Sequence, residues 1–204
     1  MASVLITAFE PYDRWPVNSS WLALIRFAQE LPASPAVTTR LYPVDFEIMK
    51  RRLAQDLEAD FDYALHLGQA PGAGQVRLEA IGVNVGGSKG EHPDRFAPLV
   101  VDGPVAYRSP LPLAGWSAKL RGAGVPAAVS YHAGTYLCNA TLYYSCHLAD
   151  RLGLKTRPTF LHFPLDISQT IETNDNVPTM PTAISALALR LIVEELADET
   201  TPLA

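Results

Sequence analysis

The segment that decides the fold is AAVSYHAGTYLCNATLYYSCHLADRL, residues 127–152. Its first part, Ala127–Tyr131, is predicted to be a β-strand, and the small-residue sequence Ala-Gly-Thr at 133–135 predicts a turn directly after it. The run Asn139–Leu152 then predicts a helix. A strand, a turn and a helix in direct succession form the repeating unit of an α/β protein.

The rest of the chain continues this alternation of strand and helix. Short apolar and β-branched runs predict further strands at Val4–Ala8, Val37–Tyr42, Tyr63–Leu67, Val76–Val85 and Thr159–Phe163. Amphipathic runs predict further helices at Ser19–Glu30, Asp45–Leu57 and Pro181–Leu196. Asn18 is a good N-cap for the first of these helices, and Pro181 suits the first turn of the last. The pattern predicts a single-domain, three-layer α/β/α sandwich over residues 1–204, with a mixed, mostly parallel central sheet.

Two stretches lack this periodicity. Gly86–Pro112 is rich in glycine, proline and charged residues, which predicts a long loop that forms a lid or a wall. Asp198–Ala204, at the end of the chain, is predicted to be a frayed tail.

Composition and charge limit the partners and the compartment. A net charge of −5 over 204 residues argues against a nucleic-acid or anionic-membrane surface. The N-terminal MASVLITAFEP lacks a positive region, and its apolar run is too short for a signal peptide or a membrane span, so we expect a cytoplasmic protein. Cys138 and Cys146 lie about 12 Å apart along one predicted helix, which predicts free thiols rather than a disulfide. The sequence has neither metal-ligand spacing nor a glycine-rich nucleotide motif, so no cofactor is predicted.

Cys138 is the residue most suited to chemistry. It follows the turn at 133–135 and precedes the helical run Asn139–Leu152, so its thiol should lie near a helix N-terminus. Partial positive charge and free backbone N–H groups at that position lower a thiol pKa and can stabilise an oxyanion. A cytosolic cysteine is more often a small buried hydrophobe, and Cys146, inside the same helix, fits that description.

A thiol nucleophile needs a base, and the sequence has five histidines. His162 is favoured because it ends the predicted strand Thr159–Phe163, at the carboxyl edge where open α/β sheets build their sites. A third group must orient the imidazole, and Glu79, Asp102 and Asp166 remain equivalent on spacing alone. The other histidines lie in the irregular stretch, inside a helix, or on or beside strands: His92, His147, His66 and His132.

Several blocks of sequence point to a known family. In order along the chain they are LITAFEPYDRWPVNSSW (5–21), LHLGQAPGAGQVRLEAIGVNV (65–85), GPVAYRSPLP (103–112), SYHAGTYLCNATLYY (130–144) and FLHFP (160–164). Together they resemble the pyroglutamyl peptidase I family, the pyrrolidone-carboxylate peptidases. The resemblance runs from about Val4 to Leu196, and its most specific part is the A-G-T-[FY]-x-C-N block around Cys138.

The resemblance implies a thiol exopeptidase that removes an N-terminal pyroglutamate from peptides. It implies that Cys138 is the nucleophile, His162 the base and Glu79 the catalytic carboxylate, and that the enzyme is a homo-oligomer, often a tetramer. Aromatic walls with a few amide partners would suit the neutral lactam ring of the substrate. The residues implied to form its pocket are Phe9, Tyr12, Asn18, Gln69 and Leu137.

The chain departs from the family pattern at several positions. Ala8 and Asp13 replace glycines, and Tyr12 replaces a phenylalanine and so adds a hydroxyl to the pocket wall. The family's G-G-R is Pro-Gly-Ala at 71–73, without the arginine, and the R-I-P-D-N segment is altered over Ser88–Arg95. Two other functions therefore remain open: a different cysteine amidohydrolase, or a small-molecule-binding relative with a weakened site.

Overall fold

The computed structural model describes residues 2–88, 90–173 and 176–198. Its strands, in chain order, are β1 (Ser3–Phe9), β2 (Ala36–Tyr42), β3 (Tyr63–Gln69), β4 (Val76–Glu79), β5 (Ile81–Val83), β6 (Ala106–Arg108), β7 (Ala127–Ser130) and β8 (Arg157–Phe163). Its α-helices are α1 (Ser19–Ala28), α2 (Phe46–Leu57), α3 (Leu113–Gly122), α4 (Leu137–Leu152) and α5 (Thr182–Asp198).

The central sheet has six strands in the order β2-β1-β3-β8-β4-β7. Strands β1, β2, β3 and β8 run parallel, whereas β4 is antiparallel to β8 and parallel to β7. Helices cover both faces of this sheet, which confirms the predicted α/β sandwich with a mixed, mostly parallel sheet.

Alternating side chains build a separate core on each face of the sheet. Ile6, Leu65 and Leu78 join the core that contains residues of α1, α3 and α5, whereas Leu5 and Phe160 join the core beneath α2 and α4. Because successive strand residues point to opposite faces, each strand residue can be assigned to a face by its position. The face under α4 receives one row of side chains from neighbouring strands: Phe9, Gly68, His162 and Arg77, with Glu79 one pleat further along β4.

The predicted strand Val76–Val85 is wrong as a single element. The chain leaves the central sheet at Ala80, whose N–H donates to the carbonyl of Ser130 (2.7 Å), and the next residues form β5, which pairs with β6. Helix α4 begins at Leu137, two residues before the predicted start, and therefore includes Cys138.

Helix α3 was not predicted because Pro112 offers no capping side chain and two glycines interrupt its sequence. Its buried residues nevertheless follow helical spacing at Leu113, Trp116 and Leu120. The pattern was therefore present in the sequence but masked by residues that usually break helices.

The stretch Gly86–Pro112 is more ordered than a free loop. It contains β6, a 3₁₀ helix at Pro93–Arg95 and an antiparallel bridge between Gly86 and Ala97. Tyr143 and Tyr144 of α4 donate hydroxyl hydrogen bonds to the carbonyls of Pro104 (2.8 Å) and Leu99 (3.0 Å). The stretch thus forms a wall against α4. The predicted tail begins at Asp198, which ends α5, and residues 199–204 lie outside the described residues.

Candidate active site

Cys138 is the second residue of α4. The N-cap residue of this helix, Tyr136, makes no side-chain capping hydrogen bond. The first backbone N–H groups of a helix have no partner within it, and the helix dipole gives them a partial positive charge. The half-buried Cys138 thiol therefore lies beside donors that are suited to holding an anion.

The start of α4 is held against β5 by hydrogen bonds of the buried Asn139 side chain. The Asn139 side chain accepts from the N–H of Val83 (2.8 Å) and donates to the carbonyls of Val83 and Val85 (both 2.9 Å). Gly82 allows the close approach, since a Cβ there would lie 2.8 Å from the backbone nitrogen of Tyr143. These contacts fix the position of the first turn of α4, and so of the thiol.

His162 connects the thiol to a carboxylate. Its Nδ1 lies 2.8 Å from Oε1 of Glu79, and the Cys138 side chain is close enough to the imidazole to raise its pKa. Its exposed fraction is 7%, and that of Glu79 is 0%. Burial alone would lower the pKa of His162, but the negative charges of Cys138 and Glu79 and its hydrogen bond to Glu79 raise that pKa to about 9. His162 is therefore protonated near neutral pH, and it lies between the Cys138 and Glu79 side chains.

Gly68 supplies the floor beneath the nucleophile. A Cβ at this position would lie 3.1 Å from Sγ of Cys138 and 2.6 Å from Cζ of Phe160. Gly68 pairs in register with His162 across β3 and β8. The missing side chain thus allows the thiol to sit directly over the sheet, next to the base.

The alternative histidines lie in other environments. His66 is buried, contacts Thr7 Oγ1 through Nδ1 (2.8 Å) and Ser145 Oγ through Nε2 (2.6 Å), and its pKa is lowered to about 3 by burial. This neutral imidazole ties β1 and β3 to α4. His132 accepts from the N–H of Gly134 (3.0 Å) in an exposed loop. His147 interacts with the hydroxyl of Tyr107, and His92 interacts with Asp94.

Neither of the other carboxylates considered from the sequence contacts His162. Asp102 lies exposed in the wall formed by 86–112, with a left-handed φ of 61°. Asp166 caps the 3₁₀ helix Ile167–Gln169 and accepts from Thr182 Oγ1 (2.5 Å). Glu79 alone of the three lies within hydrogen-bonding distance of the imidazole.

A small cavity of about 50 Å³ opens beside Cys138. All five residues that the family resemblance assigned to the pocket line it: Phe9, Tyr12, Asn18, Gln69 and Leu137. Gly68, Val44 and Tyr136 line it as well, and the sequence reasoning missed all three. Only Tyr136 carried a usable signal, because it is the aromatic position of the A-G-T-[FY]-x-C-N block.

One wall of this cavity is aromatic. The ring of Tyr136 lies 5.6 Å from that of Tyr12 and meets that of Phe46 edge-on at 5.2 Å. Burial raises the pKa of Tyr12, and the negative charges of Asp13 and Cys138 raise it further, so its hydroxyl stays protonated. The wall is thus an aromatic surface that carries the hydroxyl groups of Tyr12 and Tyr136.

The polar side of the cavity is a network of amides. The Gln69 Oε1 accepts from the N–H of Ser19 (2.9 Å) and from Nε2 of Gln169 (2.8 Å). Gln169 in turn donates to the carbonyl of Val17 (2.9 Å) and accepts from the N–H of Asp166 (2.7 Å). Backbone partners thus fix the orientation of both amides. Within the part of the chain that the structure describes, Nε2 of Gln69 is buried without a hydrogen-bond partner.

Asn18 has a structural role as well as a place in the cavity. Its Oδ1 accepts from the N–H of Ser20 (3.1 Å) at the start of α1, and its Nδ2 donates to the carbonyl of Glu10 (3.0 Å). Both contacts hold the turn after β1 against α1. The prediction that Asn18 caps the first helix is confirmed.

The structure shows the surroundings of several departures from the family pattern. Asp13 has a φ of 61°, a left-handed conformation that explains why glycine is usual there and why aspartate is tolerated. Ala8 is buried within β1. In the altered segment, the N–H of Ser88 donates to Oε2 of Glu91 (2.8 Å). None of its described residues, 88 and 90–95, is among those that line the cavity beside Cys138.

A thiol at a helix start, in contact with a buried imidazole that a carboxylate orients, defines a cysteine hydrolase that works by acyl transfer. The family model for pyroglutamyl peptidase matches residues 2–199 of the chain. The chain belongs to the pyroglutamyl peptidase family.

Individual members of the family are similar to this chain along nearly its whole length. The chain is 38% identical to the pyrrolidone-carboxylate peptidase of Streptomyces coelicolor, over 95% of this chain and 91% of the relative. It is 32% identical to that of Pectobacterium carotovorum, over 96% and 93%. The crystal structure of the pyrrolidone carboxyl peptidase from Fervidobacterium islandicum matches with a TM-score of 0.91 at 30% identity, over 97% of this chain and 99% of that one. That from Thermococcus litoralis matches with a TM-score of 0.88 at 27% identity, over 98% and 94%.

In residues 2–88, 90–173 and 176–198, no three His, Cys, Asp or Glu side chains come together in a way that could hold a metal ion. None of the described helices has the length and apolar character needed to span a membrane.

Proposed function

We propose that this protein is a cysteine exopeptidase that hydrolyses the amide bond after an N-terminal pyroglutamate. The observation that carries the proposal is the arrangement of Cys138, His162 and Glu79, in which His162 lies between the other two side chains. Beside Cys138 is a cavity whose aromatic and amide lining suits a lactam ring. Membership of the pyroglutamyl peptidase family supports the same substrate.

The acylation step uses the ion pair of Cys138 and His162. The thiolate attacks the pyroglutamyl carbonyl carbon and forms a C–S bond, while backbone N–H groups of the first turn of α4 hold the oxyanion. His162 gives its proton to the leaving amine as the C–N bond breaks. The products are a free peptide amine and a pyroglutamyl thioester on Cys138.

The deacylation step reverses the proton flow. Neutral His162 takes a proton from water, and the water oxygen attacks the thioester carbonyl. The C–S bond then breaks, and pyroglutamic acid and the Cys138 thiolate are released. Glu79 keeps its hydrogen bond to Nδ1 throughout, and so holds the other ring nitrogen toward the reacting atoms.

Substrate selection follows from the character of the cavity. A lactam ring has two apolar faces and an amide edge, which suit the aromatic side of the cavity and the polar side at Gln69. A free α-amino group is charged, and the cavity lining, as far as the structure describes it, includes no carboxylate to pair with it. Ordinary peptide N-termini should therefore bind poorly.

Hydrolysis of chromogenic amides tests the proposal against its alternatives. The wild type should cleave a pyroglutamyl amide but neither a glutaminyl nor a prolyl amide, and Cys138→Ala should abolish cleavage. His162→Ala should also be inactive, whereas the matched control His132→Ala should retain activity. Cleavage of the glutaminyl amide alone would favour a different amidohydrolase, and binding of pyroglutamate without turnover would favour a weakened, ligand-binding relative.

We also propose that the chain acts as one domain, in a reducing cytoplasmic compartment, and as a homotetramer. The need for a free Cys138 thiol supports the compartment. The exposed Val101 and Val105, with exposed fractions of 78% and 86%, support burial of that surface against other copies. Light scattering coupled to size-exclusion chromatography tests the assembly, and a monomer at assay concentrations would contradict it.

A further inference from the structure

The register of the central sheet places residues of the site side by side on neighbouring strands. On the face under α4, Gly68 lies opposite His162, and His162 lies opposite Arg77 in the antiparallel pair β8 and β4. Cys138 sits over Gly68. Neighbouring strands are about 4.8 Å apart, so these residues form one row at nearly equal steps.

The lactam cavity occupies only one side of this row. Its strand residues come from β1 and β3, namely Phe9, Gly68 and Gln69, and its lining includes no residue of β8, β4 or β7. The acyl group therefore lies on the β1 side of Cys138. His162 must reach the leaving amine to protonate it, so the amine lies on the β8 side.

Arg77 is the next residue along the row after His162. Opposed residues in an antiparallel pair have Cβ atoms about 5 Å apart, so a guanidinium on this strand can reach the residue that follows the scissile bond. The Arg77 side chain is exposed, and its neighbour on β7 is the small Ala128. No carboxylate in the described part of the chain forms an ion pair with Arg77. Arginine at such a position is suited to two-pronged binding of a carboxylate.

We propose that Arg77 binds a carboxylate on the leaving residue of the substrate, and so makes this enzyme favour pyroglutamyl peptides with an anionic group directly after the scissile bond. This inference rests on the proposed function, because it assigns the leaving side of the same reaction. The carboxylate has two sources: an acidic side chain, or the free α-carboxylate of a single leaving residue.

Paired substrates that differ in one charge test this inference. Pyroglutamyl-glutamate amide against pyroglutamyl-glutamine amide isolates the side chain, and pyroglutamyl-alanine against its amide isolates the α-carboxylate. At low ionic strength, the wild type should favour the charged member of at least one pair by about fivefold in kcat/KM, the upper range for an exposed ion pair. The pair that responds identifies the source, and added salt should reduce the preference.

Arg77→Gln should bring the ratio of charged to neutral kcat/KM close to one, and Arg77→Lys should retain part of the preference. The matched control is Arg26→Gln, an exposed arginine on α1 at the opposite face of the sheet, which should leave the ratio unchanged. A wild type that cleaves both members of each pair equally would overturn the inference but not the proposed function. So would an Arg77→Gln variant that slows all four substrates equally and shifts the pH profile, because Arg77 would then act only through His162. Failure to cleave any pyroglutamyl substrate would overturn both.

Discussion

Substitution of Gly68 by alanine should damage the site by steric means alone. The φ of Gly68 lies outside the left-handed region, so the backbone itself accepts an alanine. The added Cβ would lie 2.6 Å and 2.7 Å from two ring carbons of Phe160 and 3.1 Å from Sγ of Cys138. Carbon atoms in contact are normally about 3.5–4.0 Å apart, so the ring must move by about 1 Å.

The size of the effect follows from these distances. Overpacking a buried site costs about 1–3 kcal/mol in the free energy of unfolding, and Phe160 is fully buried. The nucleophile must also shift by several tenths of an ångström, and misplacement of a reacting group by about 1 Å can cost ~100-fold in rate. We therefore expect kcat/KM to fall by at least about tenfold, equivalent to ~1.4 kcal/mol of transition-state stabilisation.

Three measurements on Gly68→Ala check this prediction: kcat/KM for a chromogenic pyroglutamyl amide, the alkylation rate of Cys138 by iodoacetamide, and denaturant unfolding. The matched control is Gly115→Ala in α3, where an added Cβ meets nothing within 4 Å and where alanine should stabilise the helix by about 0.5–1 kcal/mol. Unchanged activity and stability in Gly68→Ala would refute the reasoning, because Cys138 could not then lie directly over β3.

Three further predictions concern the groups around the triad. Glu79→Gln keeps a hydrogen bond to His162 but removes a charge that helps raise the pKa of the imidazole to about 9. The decrease of kcat/KM at alkaline pH should therefore begin at a lower pH than in the wild type, and kcat should drop by about 10²–10⁴. The pKa of His66 is about 3 in the fold and ~6.5 in the unfolded chain. The stability of the fold should therefore be independent of His66 titration above pH ~6.5 and should fall between pH ~6.5 and 3, by up to ~1.4 kcal/mol per pH unit. Urea unfolding of His66→Gln should lack this part of the acid destabilisation, and a pH dependence identical to that of the wild type would contradict the prediction. Gln169→Ala removes the amide that orients Gln69, so steady-state kinetics should give a raised KM with a smaller change in kcat, and a change in kcat alone would disprove this positioning role.

The fold could be predicted from the sequence where hydrophobic periodicity and chain direction agree. β1, β2, β3 and β8 contain the predicted runs and differ from them by a few residues at most. The break at Ala80 could not be predicted, because β4 and β5 follow one another without a turn residue between them, and only tertiary pairing with β8 or with β6 separates them. Helix α3 was hidden by its glycines, although tertiary packing of Trp116 outweighs their low helix propensity.

The site could be predicted in its chemistry but not in its geometry. The strand-turn-helix context of Cys138 indicated a helix start, and the end of a strand favoured His162. Spacing alone left Glu79 equivalent to two other carboxylates, because the antiparallel pairing of β4 with β8 brings Glu79 to His162 across 83 positions of sequence. Gly68 and Arg77 escaped notice for the same reason: their importance comes from strand register, which a single sequence does not encode locally.

The central claim is that Cys138 forms a pyroglutamyl thioester during turnover. Rapid acid quench of the enzyme with a pyroglutamyl amide, followed by mass spectrometry of its peptides, measures this directly. We expect a pyroglutamyl adduct on the peptide that contains Cys138, which disappears on longer incubation and is absent from Cys138→Ala. Cys146 is in the same helix, but burial raises its pKa to about 12, so it should stay unmodified. Substrate cleavage by Cys138→Ala, or an adduct on Cys146 instead, would contradict the account.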